Sequence, residues 1–359
     1  MYLFFLALFV CTSLKASGED LHSDSIREKS SYVDFSFSAI TEGQWNLSTG
    51  RVGWANRIDA SMVAQLWRET DFEVAMLATY KPTETIAEVC QDFSNINAPS
   101  RLFRLVHIGL QKNFCKKRFG VYIGLRQADE DYFNTPLAGL STGASCGCVP
   151  TVNDNFHVNV FPLAAFALHL TYVPKTHCLV KTSLYNGYAN DSFCRSFRFR
   201  PHADGVINLG SVNYVCEAEK ERCFGATYLL GWNLGRHFSE TFQRCHSQAG
   251  YWVTIEQPLM RINHVDIAAG ATWSHEFKDP EVAKKYWNVI IAAGNITRHG
   301  GTLACLFNRA YYRDSYESEL ELTCSMPINE YLTLQPAIHH YSTCGLRLFL
   351  GQFRVIVSL

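Results

Sequence analysis

The chain has 359 residues, with 32 Lys and Arg against 33 Asp and Glu and a formal net charge of −1. That balance excludes a nucleic-acid binder or a polybasic membrane-surface protein, both of which need a basic excess. Only 18% of residues are charged while 13% are aromatic; a typical soluble chain carries about 25% charge, so the outer surface is expected to meet something other than water.

The N-terminus comes first. An apolar run from Tyr2 to Val10, too short to cross a bilayer, leads into small residues and the polar start SGEDLHSDS. Residues 1–16 read as a secretory signal peptide and 17–32 as a short periplasmic segment, although no Lys or Arg precedes the run. Removing Cys11 leaves twelve of the 13 cysteines, Cys90 through Cys344. Cys146 and Cys148 are a close pair, but no second pair or nearby His completes a four-ligand set, so no metal or cofactor is expected. In an exported protein some of them can form disulfides, whose pairing the sequence does not give, but cysteines dispersed in alternating runs more often act as small hydrophobes.

From there on, apolar residues recur with period two. Phe119, Val121, Ile123 and Leu125 oppose Gly120, Tyr122, Gly124 and Arg126. In VFPLAAFALHLTYVP, Phe166, Leu168, Leu170 and Tyr172 oppose Ala167, His169 and Thr171, which predicts a strand rather than a buried or spanning helix. Phe224 to Leu234, Ile267 to Ser274 and Phe353 to Leu359 repeat the pattern. The second face is largely Gly, Ser, Thr and Asn, where a soluble sheet would carry Lys and Glu. Aromatics stand near run ends at Tyr172, Trp232, Trp273 and Trp287, as a membrane girdle requires. At about 21 residues per strand and connection, the chain holds roughly sixteen strands of ~10 residues, each long enough to cross a bilayer at a tilt. The expected fold is all-β: a transmembrane antiparallel β-barrel of about sixteen strands over residues 33–359, in a bacterial outer membrane. A secreted β-sandwich binding protein is the fallback.

The order of segments resembles a family. CQDFSNINAPSRLFRLVHIGLQKNF, then KRFGVYIGLRQADEDYFNTPLAGLSTGASCG, then VFPLAAFALHLTYVP with CLVKTSLYNGYAND, and finally YESELELTCSMPINEYLTLQPAIHHY are together similar to the OprB-type carbohydrate-selective porins. The resemblance runs from about residue 33 to 359. It implies passive diffusion of small hydrophilic solutes, carbohydrates above all, through a monomer or homotrimer in the lipid bilayer, with no catalysis. Three departures bear on sugar selectivity: Ala337, His339 and His340 follow the LQP where the family has Asp, Gln and Tyr; Cys324 replaces a Tyr; and Leu359 replaces a terminal aromatic. The cysteine content resembles that of chlamydia-like bacteria, where a relative of this family is associated with arginine uptake, so an arginine or amino-acid porin is the alternative.

A porin needs a constriction whose charges favour one solute class. In CRSFRFRPH, Arg198 and Arg200 alternate with Phe197 and Phe199 and are expected on one strand face, where paired guanidinium groups would bind hydroxyls or carboxylates. Glu317, Glu319 and Glu321 share a strand face that must look into the lumen, since carboxylates facing lipid are costly. Arg126 is a lumen candidate on the same ground. The Gly/Ser/Thr-rich stretch Tyr132 to Asn155 is the expected inward-folding loop. No G-x-S-x-G, H-E-x-x-H or P-loop motif supports an outer-membrane barrel enzyme. His339 and His340 point to opposite faces of a strand and cannot share a metal.

Overall fold

A computed structural model describes residues 32–359, apart from 85, 88, 90, 92, 99–100, 157, 191, 221, 240–243, 279, 281 and 344. The signal peptide and periplasmic segment expected at 1–31, with Cys90 and Cys344, lie outside the described residues. The described residues hold sixteen strands. The first eight are β1 Val33–Asn46, β2 Val52–Trp67, β3 Thr70–Tyr80, β4 Arg101–Phe114, β5 Phe119–Arg126, β6 Ala165–Lys175, β7 Cys178–Asn186 and β8 Gly205–Cys216. The second eight are β9 Ala226–Ser239, β10 Arg244–Ile262, β11 Val265–Glu276, β12 Ala283–Gly294, β13 Thr302–Tyr312, β14 Tyr316–Pro327, β15 Leu332–Thr343 and β16 Leu346–Ser358.

Each strand pairs antiparallel with its neighbour in sequence, and β1 pairs with β16 from Ser38↔Ser358 to Asn46↔Leu350, closing a barrel. Closure matters because an open edge would leave backbone N–H and C=O groups without partners in hydrocarbon. The alternation seen in the sequence becomes two faces. Outward stand Ile123 at 50% exposure, Leu234 at 50% and Trp273 at 41%, while their neighbours Tyr122, Asn233 and Ser274 are sealed inside. Trp45, Trp54 and Tyr80 ring one end, and Trp67, Tyr172, Tyr214 and Tyr228 ring the other, all outward and exposed.

Two expected strand details differ. Alternation expects Leu125 on the outward face of β5, yet it is fully buried and packs with Leu77, Val106 and Ala164. Gly124, at φ 153°, breaks the regular pleat there, and a Cβ on it would meet the Ile108 carbonyl oxygen at 2.2 Å. Phe224 precedes β9 rather than belonging to it and is buried with Ala268, Ile290 and Leu306.

The connections fall into two groups. At one mouth three are long, 81–100, 127–164 and 187–204, while the opposite end has tight turns such as 68–69, 176–177 and 263–264. The first two long connections fold into the barrel. Asn46 Nδ2 donates to the Ile86 carbonyl at 2.9 Å and Gln352 Nε2 to the Phe93 carbonyl at 2.5 Å, tying 81–100 to the wall. Tyr132, Phe133, Val149, Val152 and Phe156 of the 127–164 segment form an apolar core with Ile207, Leu209, Trp252 and Tyr286 of the wall. Side chains buried this way gain about 1.5–3 kcal/mol each, which offsets the entropy of ordering a long connection. The Asn95 N–H donates to the Thr142 carbonyl at 2.8 Å, joining the two inward segments.

Candidate functional site: the lumen wall and its inward segment

The inward segment divides the lumen wall into a covered side and a side that solvent reaches. On the covered side its backbone is held by carboxylates. Glu256 Oε1 accepts from Thr135 Oγ1 at 2.5 Å, from the Leu137 N–H at 3.0 Å and from the Ala138 N–H at 3.2 Å. Glu321 accepts from Ser141 Oγ and, through Oε1, from the Thr142 N–H at 2.7 Å and its hydroxyl at 2.8 Å. Backbone N–H groups on a carboxylate are charge-assisted bonds, about twice as strong as neutral ones. Asn155 adds a third fastening by accepting from the N–H groups of Val282 and Ala283 at 2.8 and 2.9 Å.

Glu317, Glu319 and Glu321 therefore stand where the strand alternation puts them: β14 turns all three inward and presents Leu320 and Leu322 to the outside. They do not line an open channel wall, because the two inward segments bury each of them to 1% exposure or less. Glu317 accepts from the Gln91 N–H at 2.8 Å, and Glu319 from His339 Nδ1 at 2.6 Å, Tyr341 Oη at 2.7 Å and Asn308 Nδ2 at 2.6 Å. His339 faces inward and His340 lies on the other face against Phe349, as the strand period requires.

Arg126, at the inner end of β5, lies on the side that solvent reaches. Its Nε and Nη2 donate to the two carboxylate oxygens of Asp131 at 2.5 and 2.6 Å, and its Nη1 is 3.7 Å from Glu73. His107 Nε2 closes the group at 2.8 Å from Glu73. Beside it, Arg57 and Asp59 form a bidentate pair at 2.7–3.0 Å, with the Arg57 guanidinium 4.3 Å over the Phe161 ring. Lys181 Nζ donates to the Asp131 carbonyl at 2.7 Å. The side chains of Arg57, Asp59, Glu73, His107 and Arg126 keep between 16% and 30% exposure. A bulge in β4 turns both Val106 and His107 inward, since His107 pairs with Ala75 and Leu105 with Met76; such bulges re-aim side chains.

Within the segment, Asp131 and Asp129 behave oppositely. Burial works against the Asp131 carboxylate, but its hydrogen bonds and charge pairing with Arg126 hold the carboxyl below its ordinary value. Asp129 Oδ1 is shut from solvent without a partner, and burial, aided by neighbouring Glu130, pushes its carboxyl up to about 7.

Arg198 and Arg200 require a correction. They do not sit on a strand: Phe193–Ser196 is one helical turn, the Arg198 N–H bonds back to the Arg195 carbonyl, and both arginines are exposed in the 187–204 connection. The period-two argument for a shared wall fails because a turn does not alternate faces. The reading of the sequence passed over Arg57, Asp59, Glu73 and His107. Arg57 and Asp59, two apart on β2, carried the same alternation signal as the β14 acids.

The sixteen-strand closed antiparallel barrel is the fold of the outer-membrane porins. The structure is similar to OprB of Pseudomonas putida at high pH, with a TM-score of 0.78, 13% identity, and 91% of this chain and 94% of that one covered. It is also similar to the anion-selective porin of Comamonas acidovorans, with a TM-score of 0.58, 8% identity and coverage of 92% and 100%. Salmonella typhi OmpF in complex with daunomycin aligns at a TM-score of 0.59, 9% identity and coverage of 91% and 97%. No family profile matches the chain, and no curated protein matches its sequence.

Proposed function

We propose that this chain is an outer-membrane porin for passive diffusion of small hydrophilic solutes, and that its preferred solutes are uncharged and rich in hydroxyl groups, carbohydrates above all. The barrel fold and its porin neighbours support the first part. The observation that carries the second is the charge balance where the solvent-reached wall meets the inward segment: Arg57, Arg126 and Lys181 against Asp59, Glu73 and the buried Asp131, each acid within reach of a base. A balanced, paired array creates little net field for an ion, yet it presents fixed donors and acceptors to hydroxyl groups. The arginine-uptake alternative relied on an acidic wall open to solute, and the β14 carboxylates are occupied by the inward segments. Arg198 and Arg200, exposed in the same connection as Phe197 and Phe199, would meet the solute at the mouth before the constriction.

The test is swelling of liposomes carrying the refolded protein, in glucose and in arginine at equal osmolarity. Faster swelling in glucose is expected. Faster swelling in arginine would overturn the selectivity, and no swelling in either would overturn the open-pore reading. Replacing both Arg198 and Arg200 by Ala is expected to slow glucose entry; unchanged flux would remove them from the solute path.

A further inference from the structure

We propose that the basic tight turns joining β2 to β3, β4 to β5 and β6 to β7 form a binding surface for the phosphate headgroups of anionic phospholipid, in the leaflet at the tight-turn end of the barrel. The inference goes beyond solute passage and rests on the barrel spanning a bilayer. Residues 67–71, 112–119 and 172–178 carry six bases, Arg68, Lys112, Lys116, Lys117, Arg118 and Lys175, against two acids, Glu69 and Asp71. Their strands are consecutive around the barrel, so the three turns are neighbours on one rim. Backbone bonds tie them together: Lys112 Nζ donates to the Arg68 carbonyl at 2.7 Å, the Asn113 N–H to the Glu69 carbonyl at 2.7 Å and the Val173 N–H to the Arg118 carbonyl at 2.8 Å.

The charge is local to this part of the rim. The connections 68–69, 115–118 and 176–177 hold four bases and one acid, whereas the remaining connections at the same end, 217–225, 263–264, 295–301 and 328–331, hold three bases and four acids. The near-neutral total of the chain hides the asymmetry, because hairpins far apart in sequence meet only on the rim. Arg68, Lys116, Lys117, Arg118 and Lys175 are exposed, and among the described residues none of the five forms an ion pair with a carboxylate. The backbone adds a second observation. Cys115, Lys116 and Lys117 stand at φ 52°, 57° and 63°, three successive residues in the left-handed region that Gly or Asn enters with less strain. Strain of this kind is kept where the side chains have a use.

Depth identifies the partner. Trp67, Phe114, Phe119 and Tyr172 are between 37% and 59% exposed at the ends of these strands, where an aromatic belt marks the boundary between hydrocarbon and headgroups. Arg68 follows Trp67, Arg118 precedes Phe119, Lys116 lies two residues past Phe114 and Lys175 three past Tyr172. At ~3.3 Å per residue these charges stand within about 10 Å of the belt, at the level of the lipid phosphates. Phosphate oxygens accept charge-assisted bonds from ammonium and guanidinium groups, and each Lys or Arg at an anionic surface is worth about 5-fold in affinity. A soluble polyanion would engage the bases and leave the adjoining Leu66 and the aromatics in water; a phospholipid meets both.

The experiment is native mass spectrometry of the full-length protein in detergent, offered phosphatidylglycerol and phosphatidylcholine in equal amounts. A preference for the anionic lipid of about 10-fold or more is expected, falling to about 2-fold or less in the triple variant Lys116→Gln/Lys117→Gln/Arg118→Gln. The double variant Lys220→Gln/Arg298→Gln, on the same rim outside the cluster, should keep it. Equal binding of the two lipids by the unaltered protein would overturn the proposal, as would a preference that survives the triple variant or falls equally in the double one. If the triple variant fails to form a heat-modifiable barrel, acetylation of the unaltered protein decides. Adding phosphatidylglycerol should slow modification of Lys116, Lys117 and Lys175 about 5-fold relative to Lys220; equal rates at all four would overturn the proposal. Lipid binding is read without solute flux, so its failure would leave the pore reading standing.

Discussion

On the proposed pore reading, replacing Arg126 by Ala should turn a charge-balanced wall into a cation-preferring one. Arg126 binds Asp131 through two bonds of 2.5 and 2.6 Å and stands 3.7 Å from Glu73. Its loss leaves the local set of three acids and two bases with a net negative charge. One uncompensated charge about 6 Å from a passing ion is worth roughly 0.7–3 kcal/mol for effective dielectric values between about 80 and 20. Screening at ~0.1 M salt brings this toward ~1 kcal/mol. Acting in opposite directions on cation and anion, that raises the cation-to-anion permeability ratio by about 5-fold to 30-fold. The reversal potential of single channels in a planar bilayer under a KCl gradient reads this ratio. The double variant Arg126→Ala/Asp131→Asn removes one charge of each sign and should return the potential close to its original value. An unchanged reversal potential in a correctly inserted Arg126→Ala barrel would refute the placement of this cluster on the solute path.

Three other outcomes follow from the same geometry. Glu256→Ala removes three bonds to the inward segment, each worth about 1.5–3 kcal/mol when the acceptor is charged; wider conductance fluctuations and faster proteolysis near Leu137 are expected, while Glu256→Gln should lose less. Asp129 has a folded-state value of about 7, above its ordinary one. Its protonated form therefore favours the folded segment, a contribution present below about pH 4 and lost as pH rises through 7; protection of the segment from protease should fall over that window, and Asp129→Asn should flatten the profile. Gly231→Ala would place a Cβ 2.1 Å from Trp252, whose ring packs 4.8 Å from Phe133. Overpacking of this kind costs about 1–3 kcal/mol, to be seen as a lower unfolding temperature with the barrel still closed.

How much of this was legible beforehand can be argued from particular residues. The alternation in β5, β11 and β16 was readable because side chains two apart on a strand share a face whatever the rest of the chain does. That local rule set the fold class and the inward facing of Glu317, Glu319, Glu321 and Arg126, while the strand number came from the chain length at about 21 residues per strand and connection. It misled at Arg198 and Arg200, where alternate lettering in a turn mimics a strand, and at Leu125, where a single glycine torsion reverses the face. The Gly/Ser/Thr-rich stretch Tyr132 to Asn155 was marked as the inward loop by its length and composition. Its seat was not, because that depends on contacts such as Thr135 with Glu256 and Thr142 with Glu321, separated by 121 and 179 residues.

The sequence by itself determined a barrel with one face for lipid and one for the lumen, since burial in a bilayer imposes period two on every strand. Tertiary structure alone decided which lumen residues meet solvent and which are sealed. The inward segment lies over the β7–β15 side and leaves Arg57, Asp59, Glu73, His107 and Arg126 to water. Two carboxylates, Glu73 and Glu321, thereby acquire different surroundings: one keeps contact with solvent beside His107 and Arg126, the other holds a backbone N–H group in a sealed interior.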